Sequence, residues 1–420
     1  MIKDQPPILY RALGLFDAIS IGINAIIGAG IFVVIGIAAG MAGPGIVLSI
    51  IIAGFVSAFT ALSFAELSKF IPKEGGGYEF AHELISPRVG FAAGWLWIVS
   101  NIVAGSAVAL GFAHYFAVLL PFIPLNLVAI GICIMITLVN CFGIKQSAKL
   151  NNLLNVSKLA ILALFIVLGL GYVNLAYFND LTPNGYNGVL QGASLIFFAY
   201  AGFARITTVA EEVKNPRRTI PSSIILSLII SAVIYVLTSF VAVGLIGYLQ
   251  LSSSASPLAD AASMTGISGI PFLISIGAII ATLGVLLTSV LGVSRVSFAM
   301  ARNGDLPRFL KEIHPKYNVP HYSVVISGLI MALISGFLNL GALVSMSNVA
   351  SLLYYSITNI SAIKLKKEDR LYSKFIPAIG LISCLMLITF LSIESILITV
   401  IVALAGMIYY ILWTWKVRNT

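Results

Sequence analysis

Charge is scarce in this chain. Asp, Glu, Lys and Arg make up only 9% of its 420 residues, against 59% hydrophobic residues. About a quarter of a soluble domain is charged, so a mean hydropathy of +1.05 excludes an ordinary water-soluble fold. Cysteine is sparse as well. Cys133, Cys141 and Cys384 all fall in apolar segments, which speaks against a disulfide framework or a thiolate metal site. The polar connections are too short for a soluble catalytic domain. No His-Glu-x-x-His, Gly-x-Ser-x-Gly or paired-aspartate pattern occurs at helical depth, so nothing points to an enzyme. His314 and His321 are too isolated to suggest a metal centre, and no cofactor is expected. Neither a repeated filter segment nor a ring of charges suggests a channel.

What the chain does have is apolar length. At least ten stretches can cross a hydrocarbon core of about 30 Å, and the expected fold is an all-α polytopic membrane protein of twelve helices. The whole chain, 1–420, reads as one transmembrane domain in contact with the lipid bilayer. Residues 1–13 are short and of mixed charge, without a cleavage pattern, so the first helix is expected to stay.

The few positive charges are ordered. Lys69, Lys73 and Arg88 flank the connection after the second span, and Lys145 and Lys149 the one after the fourth. Lys214, Arg217 and Arg218 follow the sixth span, while Arg302, Arg308, Lys311 and Lys316 follow the eighth. Lys364, Lys366, Lys367, Arg370 and Lys374 follow the tenth, and Lys416 and Arg418 the twelfth. The opposite side carries only Asp180, Asp260 and Glu394. This one-sidedness places both termini in the cytoplasm of a cell membrane. It also explains the net charge of +9 as topology, with no nucleic-acid partner implied.

Two spans are interrupted by glycine. The first reads Gly22-Ile23-Asn24-Ala25-Ile26-Ile27-Gly28-Ala29-Gly30-Ile31-Phe32, the second Phe197-Phe198-Ala199-Tyr200-Ala201-Gly202-Phe203. An unpaired backbone group at membrane depth costs several kcal/mol unless protein, water or ligand satisfies it. Paired breaks in corresponding halves point to the substrate site of a secondary transporter. The half-helix amides suit a carboxylate and the opposed carbonyls suit an ammonium, so a zwitterionic amino acid fits both. The plainer alternative is that these glycines only allow tight helix packing. The five-helix offset between the breaks implies inverted repeats over 14–173 and 188–363, with 374–416 as two added helices.

These segments resemble the amino acid–polyamine–organocation transporters. The resemblance extends to Pro72-Lys73-Glu74-Gly75-Gly76-Gly77-Tyr78, to Ala210-Glu211-Glu212-Val213-Lys214-Asn215-Pro216-Arg217-Arg218-Thr219-Ile220-Pro221 and to Ala301-Arg302-Asn303-Gly304-Asp305-Leu306-Pro307. It covers most of the chain and weakens after about residue 320. It implies a LeuT-like fold and uptake or exchange of amino acids or amines by alternating access. By this resemblance the carboxylate meets amides of Gly28, Ala29 and Gly30. The amino group meets carbonyls near Ile26 and Ile27 and around Phe198, Ala199, Tyr200 and Ala201. Gly202 belongs to the same break, and Phe198, Tyr200 and Phe203 are candidates for gating or side-chain contact, with a lipid-facing position or core packing the alternative for each.

Lys158 lies inside an apolar segment, where a charge costs about 2.5–3.5 kcal/mol on insertion scales. Proton-driven members of the resembled family carry a lysine on the fifth helix in place of a sodium ion. Lys158 matches it, and Thr288 and Ser289 match the facing positions. This makes the proton a coupling partner; the alternatives are a lysine that snorkels to the cytoplasm and an exchanger with no ion coupling. Arg205 departs from the family pattern, in which many members carry an acid just after the Gly-Phe pair; here Ala204 stands there. A fixed positive charge disfavours cationic substrates, unless Arg205 is simply paired with Glu66, Glu211 or Glu212. Arg295 reads as structural. Asn101, Ser106 and His114 are further candidates to face a transport path.

Overall fold

The computed structural model describes residues 13–73, 75–120, 122–142, 147–317 and 319–419. The expectations for residues 1–12, Glu74 and Lys145 lie outside these residues, as do those for the side chains of Lys149, Glu211, Lys416 and Arg418. Among the described residues there is no strand, only a single bridge between Leu13 and Val213.

The first span is two helices. α1 (Leu15–Ile26) stops at Ile27, whose ψ of 103° is extended, and a π-helical turn over Gly30–Val34 leads into α2 (Ile35–Ala42). Gly43, at φ 66°, then reverses the chain with Pro44 into α3 (Ile46–Phe70); only glycine takes that backbone without strain. α4 (Gly77–Leu84) is a short connecting helix. The Ser86 hydroxyl accepts from the Val89 amide and Pro87 opens α5 (Pro87–Leu119), a usual pairing of cap and first-turn proline. α6 (Leu125–Cys141) and α7 (Ser147–Leu170) follow.

α8 (Gly185–Tyr200) ends at the second break, after which Ala201–Glu212 winds as a 3₁₀ helix. Beyond it come α9 (Pro216–Ser253), kinked at Gly247, and the short α10 (Pro257–Ser263). α11 (Ile270–Arg302), α12 (His321–Phe337), α13 (Leu340–Lys364), α14 (Phe375–Ile388) and α15 (Ile393–Asn419) complete the chain.

Among the described residues eight helical runs are long and apolar enough to cross a membrane, one of them the 56-residue run through the Gly43 turn; α6, α12 and α14 are shorter apolar helices. The protein is therefore an all-α polytopic membrane protein. Its outer surface is apolar: Phe55, Phe122, Phe337 and Ile401 are each more than 60% exposed, a pattern suited to lipid. Inside, α1, α2 and α3 pack on α9 and α2 and α3 on α8, while α5 packs on α11 and α13 and α6 on α12. The two breaks lie where these groups meet.

Candidate substrate site at the two helix breaks

One face of α7 is zipped along α1. Asn152 Nδ2 donates to Asp17 Oδ1 at 3.0 Å, and Asn155 Nδ2 to Ser20 Oγ at 3.2 Å. Lys158 Nζ then reaches Asn24 Oδ1 at 2.6 Å, Asn24 O at 3.3 Å and Ile27 O at 2.8 Å. The three α7 residues are spaced by three, so they share one helix face. Lys158 is fully buried and does not snorkel. Its ammonium sits where the last carbonyls of α1 have no helical partner, at the negative end of that half-helix.

The glycines bring the breaks into contact. A methyl on Gly202 would lie 2.1 Å from Ala25 O, one on Gly30 2.4 Å from Ala199 Cβ, and one on Gly28 2.3 Å from Val285 Cγ2. Tyr235 of α9 joins the same two segments: its hydroxyl is 2.9 Å from Ile26 O and 3.1 Å from Ala199 O. The Tyr355 hydroxyl donates to Ala201 O, and that of Tyr200 to Ile50 O at 3.2 Å. Several carbonyls expected to meet an amino group thus already hold one protein donor, leaving each a second lone pair.

Between the breaks is a cavity of about 30 Å³. Ile26, Gly28, Ala29, Gly30, Phe198, Ala201 and Gly202 line it. Ile27, Ala199, Tyr200 and Phe203 are buried behind it; Phe203 stacks on Tyr355 and meets the edge of Phe64. Trp97, Ser100 and Asn101 of α5, Val285 of α11, and Ser347 and Ser351 of α13 form the opposite wall. Asn101 therefore faces this cavity. Ser106 instead hydrogen-bonds to Met331 O, and His114 lines a separate cavity with Phe122 and Leu125. Tyr235, Trp97, Ser347 and Ser351 escaped sequence reasoning.

Thr288 and Ser289 do not meet Lys158. Both accept from Arg205, at 2.7 and 2.8 Å. Arg205 also donates to Val285 O and to Asn101 Oδ1, and among the described residues no carboxylate pairs with it. Glu66 instead accepts from the Leu371 and Tyr372 amides, and Glu212 lies 3.5 Å from Arg295.

Two of the quoted motifs meet below the cavity. Tyr78 donates to Asp305 Oδ2 at 2.8 Å, while Asn303 Nδ2 donates to both Tyr78 Oη and Glu79 Oε1 at 2.9 Å. Burial raises Glu79 and Asp305 above the ordinary carboxylate range, opposed by the hydrogen bonds from Asn303 and Tyr78 respectively. Gly75, Gly76 and Gly304 supply the positive φ that lets these two loops close.

Interrupted helices around a small cavity with a few polar groups, inside an apolar shell, are the architecture of a membrane transporter. The amino acid permease family model matches residues 17–418, and the chain belongs to that family. It is a transporter and not an enzyme. It is 34% identical to the methylthioribose transporter of Bacillus subtilis, over 89% of this chain and 86% of that protein. It is 33% identical to the branched-chain amino acid permease BcaP of the same species, over 97% and 94%. The cationic amino acid transporter 4, vacuolar, of Arabidopsis thaliana is 32% identical over 87% of this chain and 64% of its own length.

Proposed function

We propose that this permease is a proton-coupled secondary transporter of amino acids in the cell membrane. In this reading the chain crosses the bilayer twelve times with both termini in the cytoplasm. The fold is LeuT-like: 14–173 and 188–363 are inverted repeats and 374–416 are additions. The α-carboxylate docks on the amides of Gly28, Ala29 and Gly30, and the amino group on the carbonyls at the ends of α1 and α8.

The observation that carries this reading is the Lys158 ammonium on Asn24 and Ile27 O, at the first break and behind the cavity's lining. A cation there compensates the end of α1. When the proton leaves, the carbonyls lose charge-assisted bonds worth about 1.5–3 kcal/mol each, and the half-helix is free to re-orient. The cavity of about 30 Å³ is far below the roughly 300–1,000 Å³ of a ligand pocket, so the breaks must part to admit substrate. Lys158 thus links the proton to the segment that has to move.

The test is uptake of a radiolabelled amino-acid mixture into proteoliposomes. Accumulation driven by an inward proton gradient in sodium-free buffer is expected. Accumulation that follows a sodium gradient and ignores pH would overturn the coupling, and homoexchange without gradient-driven accumulation would assign an exchanger.

A further inference from the structure

Among the described residues Arg205 is the only titratable side chain on the wall of the cavity between the breaks, and it is 6% exposed. Its Nε–H donates to Asn101 Oδ1 at 3.3 Å, Nη1 to Val285 O at 3.2 Å and Thr288 Oγ1 at 2.7 Å, and Nη2 to Ser289 Oγ at 2.8 Å. These bonds use four of the five donors a guanidinium has. Every acceptor is neutral, and among the described residues the second Nη2 hydrogen has no partner. A buried charge without a counter-charge is costly. Lys158 adds a second positive charge at the first break, and among the described residues no Asp or Glu lines the cavity.

Val285 ties this charge to the first break. Its carbonyl accepts from Arg205, and its side chain touches the backbone of Gly28. An anion drawn to Arg205 therefore sits beside the half-helix amides, where the backbone also favours negative charge. A carboxylate would take the spare Nη2 hydrogen and supply the missing counter-charge in one step. A cationic side chain would meet repulsion from both Arg205 and Lys158.

We propose that Arg205 is the specificity-determining residue of this cavity: it binds a carboxylate of the substrate and rejects substrates with cationic side chains. This rests on the reading of the chain as an amino-acid transporter. The carboxylate is either the α-carboxylate or one on the side chain, and the two are separable. The guanidinium does this as a planar fork braced by α5 and α11, so lysine is not an equivalent.

The experiment is ligand binding to the purified full-length protein by thermal shift and calorimetry, for wild type, Arg205→Gln and Arg205→Lys. The probes are L-glutamate, L-leucine, leucinol and L-lysine. Wild type is expected to bind L-leucine or L-glutamate at least about tenfold more tightly than L-lysine. Arg205→Gln is expected to weaken the better ligand by about tenfold or more. If the α-carboxylate is held, L-leucine falls to the level of leucinol; if a side-chain carboxylate is held, only L-glutamate falls. Wild type binding L-lysine as tightly as the others, or both variants binding like wild type, would overturn the assignment and leave amino-acid transport standing. Wild type that binds none of the amino acids would overturn both. Should both variants aggregate, the wild-type order of the four probes still decides.

Discussion

The two breaks differ in what holds them. At the first, the carbonyl end of α1 is held by an ammonium, Lys158, from α7, beside the Tyr235 hydroxyl that the two breaks share. At the second, Ala199 O and Ala201 O are held by the phenol hydroxyls of Tyr235 and Tyr355, and Gly202 packs directly on Ala25. An amine can change charge within a transport cycle, whereas a phenol bonded to a carbonyl and a backbone contact change little. In the proposed function the first break is the one that switches and the second holds geometry. Arg205 fits this division, since a guanidinium keeps its charge and is braced by neutral groups.

The largest effect is expected from removing the switch. Lys158→Met leaves Ile27 O and Asn24 without their cation and is expected to abolish accumulation driven by a proton gradient while homoexchange persists; flux assays in proteoliposomes would separate the two. Next comes the holding contact. Gly202→Ala places a methyl 2.1 Å from Ala25 O, a backbone atom that cannot move aside alone, at a cost of about 1–3 kcal/mol. Thermal denaturation in detergent should show that loss together with reduced uptake. Gly292→Ala, with nothing within 4 Å, should leave both unchanged. If both substitutions behaved alike, the contact between the breaks would have no special weight.

Tyr235→Phe should cost less, about 0.5–1.5 kcal/mol for one hydrogen bond, and slow uptake without altering its proton dependence. A change in that dependence would erase the distinction between the breaks.

Much of this division was legible in the sequence. Glycines at 28, 30 and 202 stand out in apolar runs that otherwise need side chains for packing, and a lysine such as Lys158 in an apolar helix needs either a route to water or buried partners, here Asn24 and Ile27. The apolar stretches also marked α6, α12 and α14 as helices despite their 14 to 17 residues. The rest was not legible for physical reasons. Tyr235 lies 209 residues from Ile26, and a lone tyrosine in an apolar helix looks the same whether it faces lipid or a carbonyl. Ser347 and Ser351 look like ordinary small residues for helix packing. Thr288 and Ser289 lay on the expected helix, yet only coordinates show their hydroxyls turned to Arg205. α4 and α10, with 8 and 7 residues, are too short to give a periodic signal.

The smallest effect lies at the loops below the cavity. Glu79 and Asp305 are raised by burial, so the folded protein keeps protons that the unfolded chain has released. Stability should therefore fall as pH rises from the ordinary carboxylate value through the raised one. Glu79→Gln with Asp305→Asn should flatten that slope in Tm against pH. A slope of opposite sign in wild type would show that these carboxyls are ionised in the closed loops.

The central claim, that Lys158 carries the proton that moves with substrate, is tested most directly by counting protons. With a pH-sensitive dye trapped in proteoliposomes, addition of the amino-acid mixture should acidify the lumen in step with uptake for wild type and produce no acidification for Lys158→Met. Equal acidification in the two proteins, or wild-type accumulation against a gradient with no proton movement, would contradict it.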